Sequence, residues 1–362
     1  MRTPELARFR GCLLGGALGD ALGYPVEFLK TAAEIERALG PVSPERLPRA
    51  RGGKALVSDD TQMTLFTAEG LIRAAHRAMD RGLCSPSAVL LGAYQRWLST
   101  QIGADLEPWN DPLQRGWLLD VPELRARRAP GNTCMSALRA SLVDDAPVPT
   151  VDTPPNDSKG CGAVMRSAPI GLVANDVEDA FRLGRDAAVL THGHPSGYLS
   201  AAYFAALVQQ VVRNVPLTRA MTATDELLRG ERGCEEVRAA IDAAREGAAT
   251  RPTSRKEIER LGGGWVGEEA LGIAILCALT NADGSPGSIA ATLWRSVAHA
   301  GDSDSTGSLT GNLLGAMYGV DALPAAWLDD LELREVIERL ALDLYEVCVL
   351  GTVPDARRYP PN

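Results

Sequence analysis

Apolar positions along the chain recur at helical rather than strand spacing. One window runs Leu65, Ala68, Leu71, Ile72 and Ala75, and a second runs Leu271, Ile273, Ala274, Ile275, Ala278 and Leu279. A third reads Leu331, Val336, Ile337, Leu340, Ala341 and Leu344. Strand-like alternation of β-branched residues is scarce, and aromatics make up only 5% of the chain. Turn formers collect between the windows, in PVSPERLPRARGG (41–53), DDAPVPTVDTPPNDSKG (144–160) and RPTSRKEIERLGGG (251–264). None is long or biased enough for a disordered linker, and none divides halves of different composition. The pattern predicts an all-α fold of a dozen or so helices, in one domain over residues 1–362.

Two glycine ladders interrupt this reading. Gly11, Gly15, Gly19 and Gly23 recur every four residues, and so do Gly307, Gly311, Gly315 and Gly319. Positions i and i+4 share a helix face, so each ladder is a smooth stripe that another backbone can approach. Each interior glycine costs about 0.5–1 kcal/mol relative to alanine, which tight packing must recover. Each ladder lies beside an acidic cluster, so the two helices are expected to meet or to share a central position.

Composition narrows the class. The 362 residues carry 37 Lys plus Arg against 46 Asp plus Glu, a net charge of −9, with 45% hydrophobic residues. That is an ordinary globular balance, and its sign argues against wrapping a nucleic acid. No run of about 18 apolar residues is present, so no membrane span is expected. The start, MRTPELARFRG, lacks the apolar core of a signal peptide. Seven cysteines, none in a CxxC pair, read as reduced thiols, which makes the cytoplasm the expected compartment.

The candidate chemistry is acidic. Ser58-Asp59-Asp60-Thr61 precedes the window beginning at Met63, and Asp302-Ser303-Asp304-Ser305-Thr306 precedes the second glycine ladder. Taken alone, each is accounted for by helix capping, since Ser, Asp and Thr are good N-caps and carboxylates suit the positive helix end. Capping needs only one or two side chains, however. Four carboxylates at one point repel unless cations lie between them. Oxygen donors without His or Cys suit hard cations such as Mg²⁺, Mn²⁺ or Ca²⁺, and this count of acids suits an ion pair about 3.5–4 Å apart. Asp20 and Glu27, in GDALGYPVEF (19–28), form a third acidic element. Glu27 follows Pro25 and reads as leaving the helix for a turn. Composition alone makes both surface acids, whereas beside a cation pair such a carboxylate becomes a candidate acid or base.

Of four histidines, His76 reads as a solvated helix residue, and His192 and His194, in LTHGHPSG, as a weak HxH signal; the fourth is His299. No GxSxG elbow, GxxxxGK[ST] loop or GxGxxG after a strand occurs, which argues against an α/β-hydrolase, a P-loop NTPase and a Rossmann dehydrogenase.

A series of segments carries a family resemblance: GCLLGGALGDALGYPVEF (11–28), SDDTQMTLFTAEGLI (58–72), GNTC (131–134), NDSKGCGAVMRSAPIGL (156–172), LTHGHPSGYLSA (190–201), GGGWVGEEALGIAI (262–275) and HAGDSDSTGSLTGNLLGAMYG (299–319). In order and spacing, from about residue 8 to about residue 350, they resemble the ADP-ribosylglycohydrolase family. The resemblance implies a single-domain orthogonal bundle of many helices and a binuclear Mg²⁺ or Mn²⁺ site. Ser58, Asp59 and Asp60 match the first ligand group, and Asp302, Asp304 and Ser305 the second. Serine stands at both hydroxyl positions, where threonine is frequent, and keeps the ligand oxygen. Asp60 and Asp304 join Glu27 as candidates for the chemistry. The resemblance also places Ser158, Gly160, Cys161 and Gly162 near ADP-ribose, where bare glycine N–H groups can approach a pyrophosphate. It puts His192 in the same cleft, and Trp265 and Glu268 in a loop region facing the adenine or the leaving group.

The implied activity is removal of ADP-ribose from a modified protein, with arginine as the favoured acceptor and two Mg²⁺ or Mn²⁺ ions as cofactors. Expected partners are the ADP-ribosylated protein and ADP-ribose, with no membrane or nucleic acid, and the chain is read as a monomer. Serine linkages, O-acetyl-ADP-ribose and non-protein acceptors stay open. So do a two-metal phosphohydrolase, which the ligand acids fit equally well, and a non-catalytic ADP-ribose binder.

Overall fold

Two glycine-lined helices, Leu6–Gly23 and Ser303–Tyr318, lie against each other in the interior. Every residue from Gly11 to Gly23 is buried, as is every residue from Ser303 to Ala316. The helices are antiparallel and in register: Gly11 faces Gly315, Gly15 faces Gly311 and Gly19 faces Gly307. A Cβ built on any of these six would collide with a backbone carbonyl across the interface, so only glycine permits the approach. Gly23 meets the backbone of Ser303 and Asp304 in the same way, which fixes the end of the first helix at the start of the second. Asn312 fills the space beside Gly16 and donates from Nδ2 to the Cys12 carbonyl at 2.8 Å.

The computed structural model describes residues 3–47, 53–104, 106, 111–143, 145–249, 254–281 and 283–361. Parts of the three breaker-rich stretches, 48–52, 144 and 251–253, lie outside the described residues. Among the described residues there are seventeen α-helices, five short 3-10 helices and no strand, only two isolated bridges. Helices Asp59–Arg81, Pro286–Val297 and Arg334–Cys348 pack on the first glycine helix. Pro195–Val211, Gly267–Leu279 and Pro286–Val297 pack on the second. No described helix is long and apolar enough to cross a membrane.

The three apolar windows fall in Asp59–Arg81, Gly267–Leu279 and Arg334–Cys348, with one exception. Leu331 precedes its helix and pairs with Ala55 in a parallel bridge, because the left-handed Leu333 (φ 60°) interrupts the chain before Arg334. The dozen expected helices become seventeen because pieces such as Ala168–Val173 and Ala325–Asp330 are too short to display a period. His76 is not solvated: it is buried, with Nδ1 2.7 Å from the Tyr359 carbonyl, because the C-terminal segment covers it. All seven cysteines are free.

The glycine interface generates a stability prediction. Gly311→Ala forces the helices apart and should cost more than about 2 kcal/mol in denaturant unfolding. Gly287→Ala, on a helix where an added Cβ meets nothing within 4 Å, should be neutral or slightly stabilising. Equal effects at the two positions would mean that close backbone approach does not constrain the interior.

Candidate active site

The register of the glycine helices decides where the acids go. Asp302, the N-cap of Ser303–Tyr318, accepts from the Ser305 N–H through Oδ1 at 3.3 Å, and Asp304 accepts from the same N–H at 3.1 Å. Ser58 caps Asp59–Arg81 by accepting from the Asp60 N–H at 3.2 Å. Both clusters therefore do cap helices, and both also meet at one place.

Asp20 joins them. Its carboxylate accepts from the Ser58 N–H at 2.9 Å and the Thr61 N–H at 3.0 Å, with the Thr61 hydroxyl as a further donor. This fully buried side chain, expected on the surface, ties the end of the first glycine helix to the start of the Asp59 helix. Glu27 follows a 3-10 turn, Tyr24–Val26, as the proline predicted, yet it too is buried rather than solvated. The first glycine helix ends inside the molecule and its turn stays under cover, so neither acid reaches the surface.

Glu27, Asp59, Asp60, Asp302 and Asp304 line one cavity of about 600 Å³. Gly160, Cys161, Gly162, His192, Trp265 and Ser305 share its wall. Among the described residues Arg127 is the sole arginine on that wall. A larger depression of about 860 Å³ lies around Lys54 and Glu335, where Arg334 pairs with Asp329 and Glu338, and Glu332 with Arg128.

Burial and mutual repulsion raise Glu27, Asp20, Asp59, Asp60 and Asp304. Glu27 is pushed up to about 9 by burial and by Asp302, Asp59 and Asp20. Asp59 rises to about 8 by burial, partly offset by the Gly131 N–H on its Oδ2 at 3.1 Å. Asp20 rises to about 6 against its own four hydrogen bonds, and Asp60 and Asp304 are held well above the usual carboxylate range. Glu27 Oε2 and Asp60 Oδ2 are buried without a hydrogen-bond partner. Among the described residues no three His, Cys, Asp or Glu side chains form a closed metal cage as they stand. The donor chemistry nevertheless fits hard cations: oxygen atoms predominate, two are unpartnered, and cations would relieve the repulsion.

On the opposite wall, Gly160-Cys161-Gly162 enters the short helix Cys161–Arg166. A Cβ at Gly162 would strike Cys134 Sγ and the His192 ring, so glycine is required there. Buried Arg166 donates to the Gly162 carbonyl at 2.8 Å and to Thr191 Oγ1 at 2.6 Å, fixing both walls. Thr191 Oγ1, which accepts from Arg166, lies 2.8 Å from His192 Nδ1. Burial and the Arg166 charge lower His192 to about 3, so the ring is neutral, with Nε2 beside Gly160.

Other expected residues stand further back. Ser158 does not line the cavity; its hydroxyl is 3.1 Å from Thr133 Oγ1 and accepts from the Gly160 N–H, which shapes the loop. Glu268 lies in the first turn of Gly267–Leu279 and binds Lys159 Nζ at 2.9 Å, off the cavity wall. Ser58 is buried behind Asp59 and Asp60. His194 caps Pro195–Val211, and His299 holds Thr306 from beneath the second acidic cluster. Phe28, Arg127, Asn132, Thr133, Cys134 and Met165 line the cavity without having been singled out. The GNTC segment was a usable signal for three of them, whereas Phe28 reads as an ordinary core residue.

Comparisons with known proteins give the family. A family model described as ADP-ribosylglycohydrolase matches residues 1–352. The chain belongs to the ADP-ribosylglycohydrolase family and is a hydrolase of glycosidic bonds. It is 25% identical over 374 residues to ADP-ribosylhydrolase ARH3 of Homo sapiens, covering 95% of this chain and 94% of that one. It is 25% identical over 341 residues to ADP-ribosyl-[dinitrogen reductase] glycohydrolase of Rhodospirillum rubrum, covering 90% and 91%. With ADP-ribosylarginine hydrolase Tri1 of Serratia proteamaculans it shares 26% over 347 residues, covering 95% and 80%. A solved ADP-ribosylglycohydrolase-related protein complex superposes with a TM-score of 0.65 at 26% identity, over 95% of this chain and 98% of that one.

The raised acids predict a pH dependence. Their folded pKa values exceed the unfolded values of about 4, so the folded state binds protons more tightly than the unfolded chain. Their favourable contribution is complete below about pH 4 and fades as pH rises through about 6 (Asp20), 8 (Asp59) and 9 (Glu27). In chelator-treated buffer the melting temperature should fall from mildly acidic to alkaline pH. Asp59→Asn should flatten that fall, and Mn²⁺ should reverse it in the wild type. A pH-independent melting temperature would contradict the clustering of charge.

Proposed function

We propose that this protein hydrolyses the bond between C1 of the distal ribose and an arginine side chain, releasing ADP-ribose from a modified protein. The observation that carries this reading is the convergence of five carboxylates from three distant segments on one cavity wall, facing a glycine-rich wall. An ADP-ribose diphosphate is repelled by such a wall unless cations intervene. Asp59, Asp60, Asp302 and Asp304, with Ser58 and Ser305 as oxygen donors, are the residues that would hold two Mg²⁺ or Mn²⁺ ions. When bound, such ions supply positive charge that orients the ribose hydroxyls and makes water more acidic.

The chain's own residues do the rest. Gly160 and Gly162 let the backbone approach the diphosphate closely, and the neutral His192 ring presents Nε2 on the same side. Glu27 presents Oε2, buried and unpartnered, where it can take a proton from water or pass one to the departing nitrogen. The surrounding carboxylates stabilise positive charge developing at C1 of the ribose. Arginine is favoured over other acceptors because relatives of similar coverage include one named for ADP-ribosylarginine.

The test is to incubate pure protein, with Mg²⁺, Mn²⁺ or EDTA, with arginine- and serine-ADP-ribosylated peptides and to identify products by mass. Intact ADP-ribose should leave the arginine peptide, and EDTA should suppress release. Asp60→Asn and Asp304→Asn should each slow it by about 10²-fold or more, and Glu27→Gln by about 10²–10⁴-fold. Release of AMP would instead make the protein a phosphohydrolase. Full turnover by Glu27→Gln would return that residue to a structural role.

A further inference from the structure

Phe28 and Trp265 are the phenylalanine and the tryptophan that stand exposed among the described residues, 64% and 47% accessible, while bulky rings elsewhere, such as Trp97, Trp327 and Phe66, are buried. They come from segments far apart in the chain and meet at the cavity, with ring centroids 6.3 Å apart and planes inclined by 30°. Large aromatics left in water beside a cavity usually mark a binding surface.

Neither ring is on a loose segment. Phe28 directly follows Glu27 in a turn closed by the Leu29 N–H on the Val26 carbonyl at 2.9 Å. The Trp265 carbonyl accepts from the Cys161 N–H at 3.1 Å. Glu269 Oε2 accepts from the Gly263 and Gly264 N–H groups at 3.1 Å each, and the Asp302 N–H donates to the Gly263 carbonyl at 2.7 Å. The Trp265 loop is thus fastened to the second acidic cluster, and Phe28 to the third.

Resting on the reading that this cavity cleaves ADP-ribosyl bonds, we propose that Phe28 and Trp265 form a clamp for the acceptor side chain, and that it selects the planar cation of ADP-ribosyl-arginine. Phe28 directly follows Glu27 on the acidic side, where the reacting ribose lies, and the Trp265 ring stands beside it on a loop tied both to Asp302 and to Cys161 of the glycine turn. The group they meet is the one beyond the scissile bond. A guanidinium is flat, always charged in its free form and weakly hydrated, so it stacks on aromatic faces more readily than other cations. Sandwiching a flat group needs centroids about 7 Å apart, twice an aromatic contact of about 3.5 Å, so a small ring rotation opens the slot. The neighbouring carboxylates add attraction for positive charge. A serine linkage offers neither the plane nor the charge.

The experiment measures KM and kcat on an ADP-ribosyl-arginine peptide, and calorimetric affinity for free ADP-ribose, in wild type, Phe28→Ala, Trp265→Ala and Trp265→Phe. Both alanine variants should raise KM about five- to tenfold, leave kcat within about twofold and leave ADP-ribose affinity unchanged, with Trp265→Phe close to wild type. An equal loss of ADP-ribose affinity would place the rings on the nucleotide and overturn the clamp. An unchanged KM would also overturn it while leaving the hydrolase reading intact. A wild-type enzyme that cleaves only serine-linked peptides, or releases AMP, would refute the arginine reading and the clamp together, before any variant is made.

Discussion

The closest approach of two helix backbones governs this protein. Gly11, Gly15 and Gly19 admit the carbonyls of Gly315, Gly311 and Gly307, and no side chain larger than hydrogen fits between them. Contact this close allows one register. That register sets Asp20 and Glu27, at the end of one helix, beside Asp302 and Asp304 at the start of the other. The glycines carry an entropic cost in the helix interior, and the dense packing they allow offsets it.

The same packing creates an electrostatic conflict. Five carboxylates share one cavity wall and Asp20 lies just behind them, so each disfavours ionisation of the next. Two helix N-termini, at Ser58 and Asp302, point their positive ends at the cluster and relieve part of it. Backbone donors at Asp20 and Asp59 relieve more. Part of the conflict remains unrelieved, and the Glu27 and Asp60 oxygens stay buried without a partner. Across the cavity Arg166, Thr191 and His192 form a polar chain that holds the glycine turn, with Arg166 Nε buried and unpartnered.

Much of this was legible from spacing. The four-residue glycine period announced that two helices would touch, and acids beside both ladders announced where. The helical windows located three long helices because those helices carry a continuous apolar face. What sequence could not show was depth. Asp20 and Glu27 read as surface acids because nothing local reveals that a helix end is buried under others. His76 read as solvated because its cover, Tyr359, arrives from the far end of the chain. Ser158 and Glu268 belong to cavity segments, yet their side chains turn to Thr133 and Lys159. Phe28 gave no signal, since exposure of an aromatic is a property of the assembled surface.

The central claim is that acids from both ends of the chain build one shared cation site. Its most direct test is a Mn²⁺ titration followed by electron paramagnetic resonance, in wild type, Asp60→Asn and Asp304→Asn. Convergence predicts two ions per chain that are magnetically coupled, with either substitution abolishing the coupling and weakening the binding that remains. Two uncoupled ions, each lost independently with its own aspartate, would show that the two acidic clusters do not form one centre.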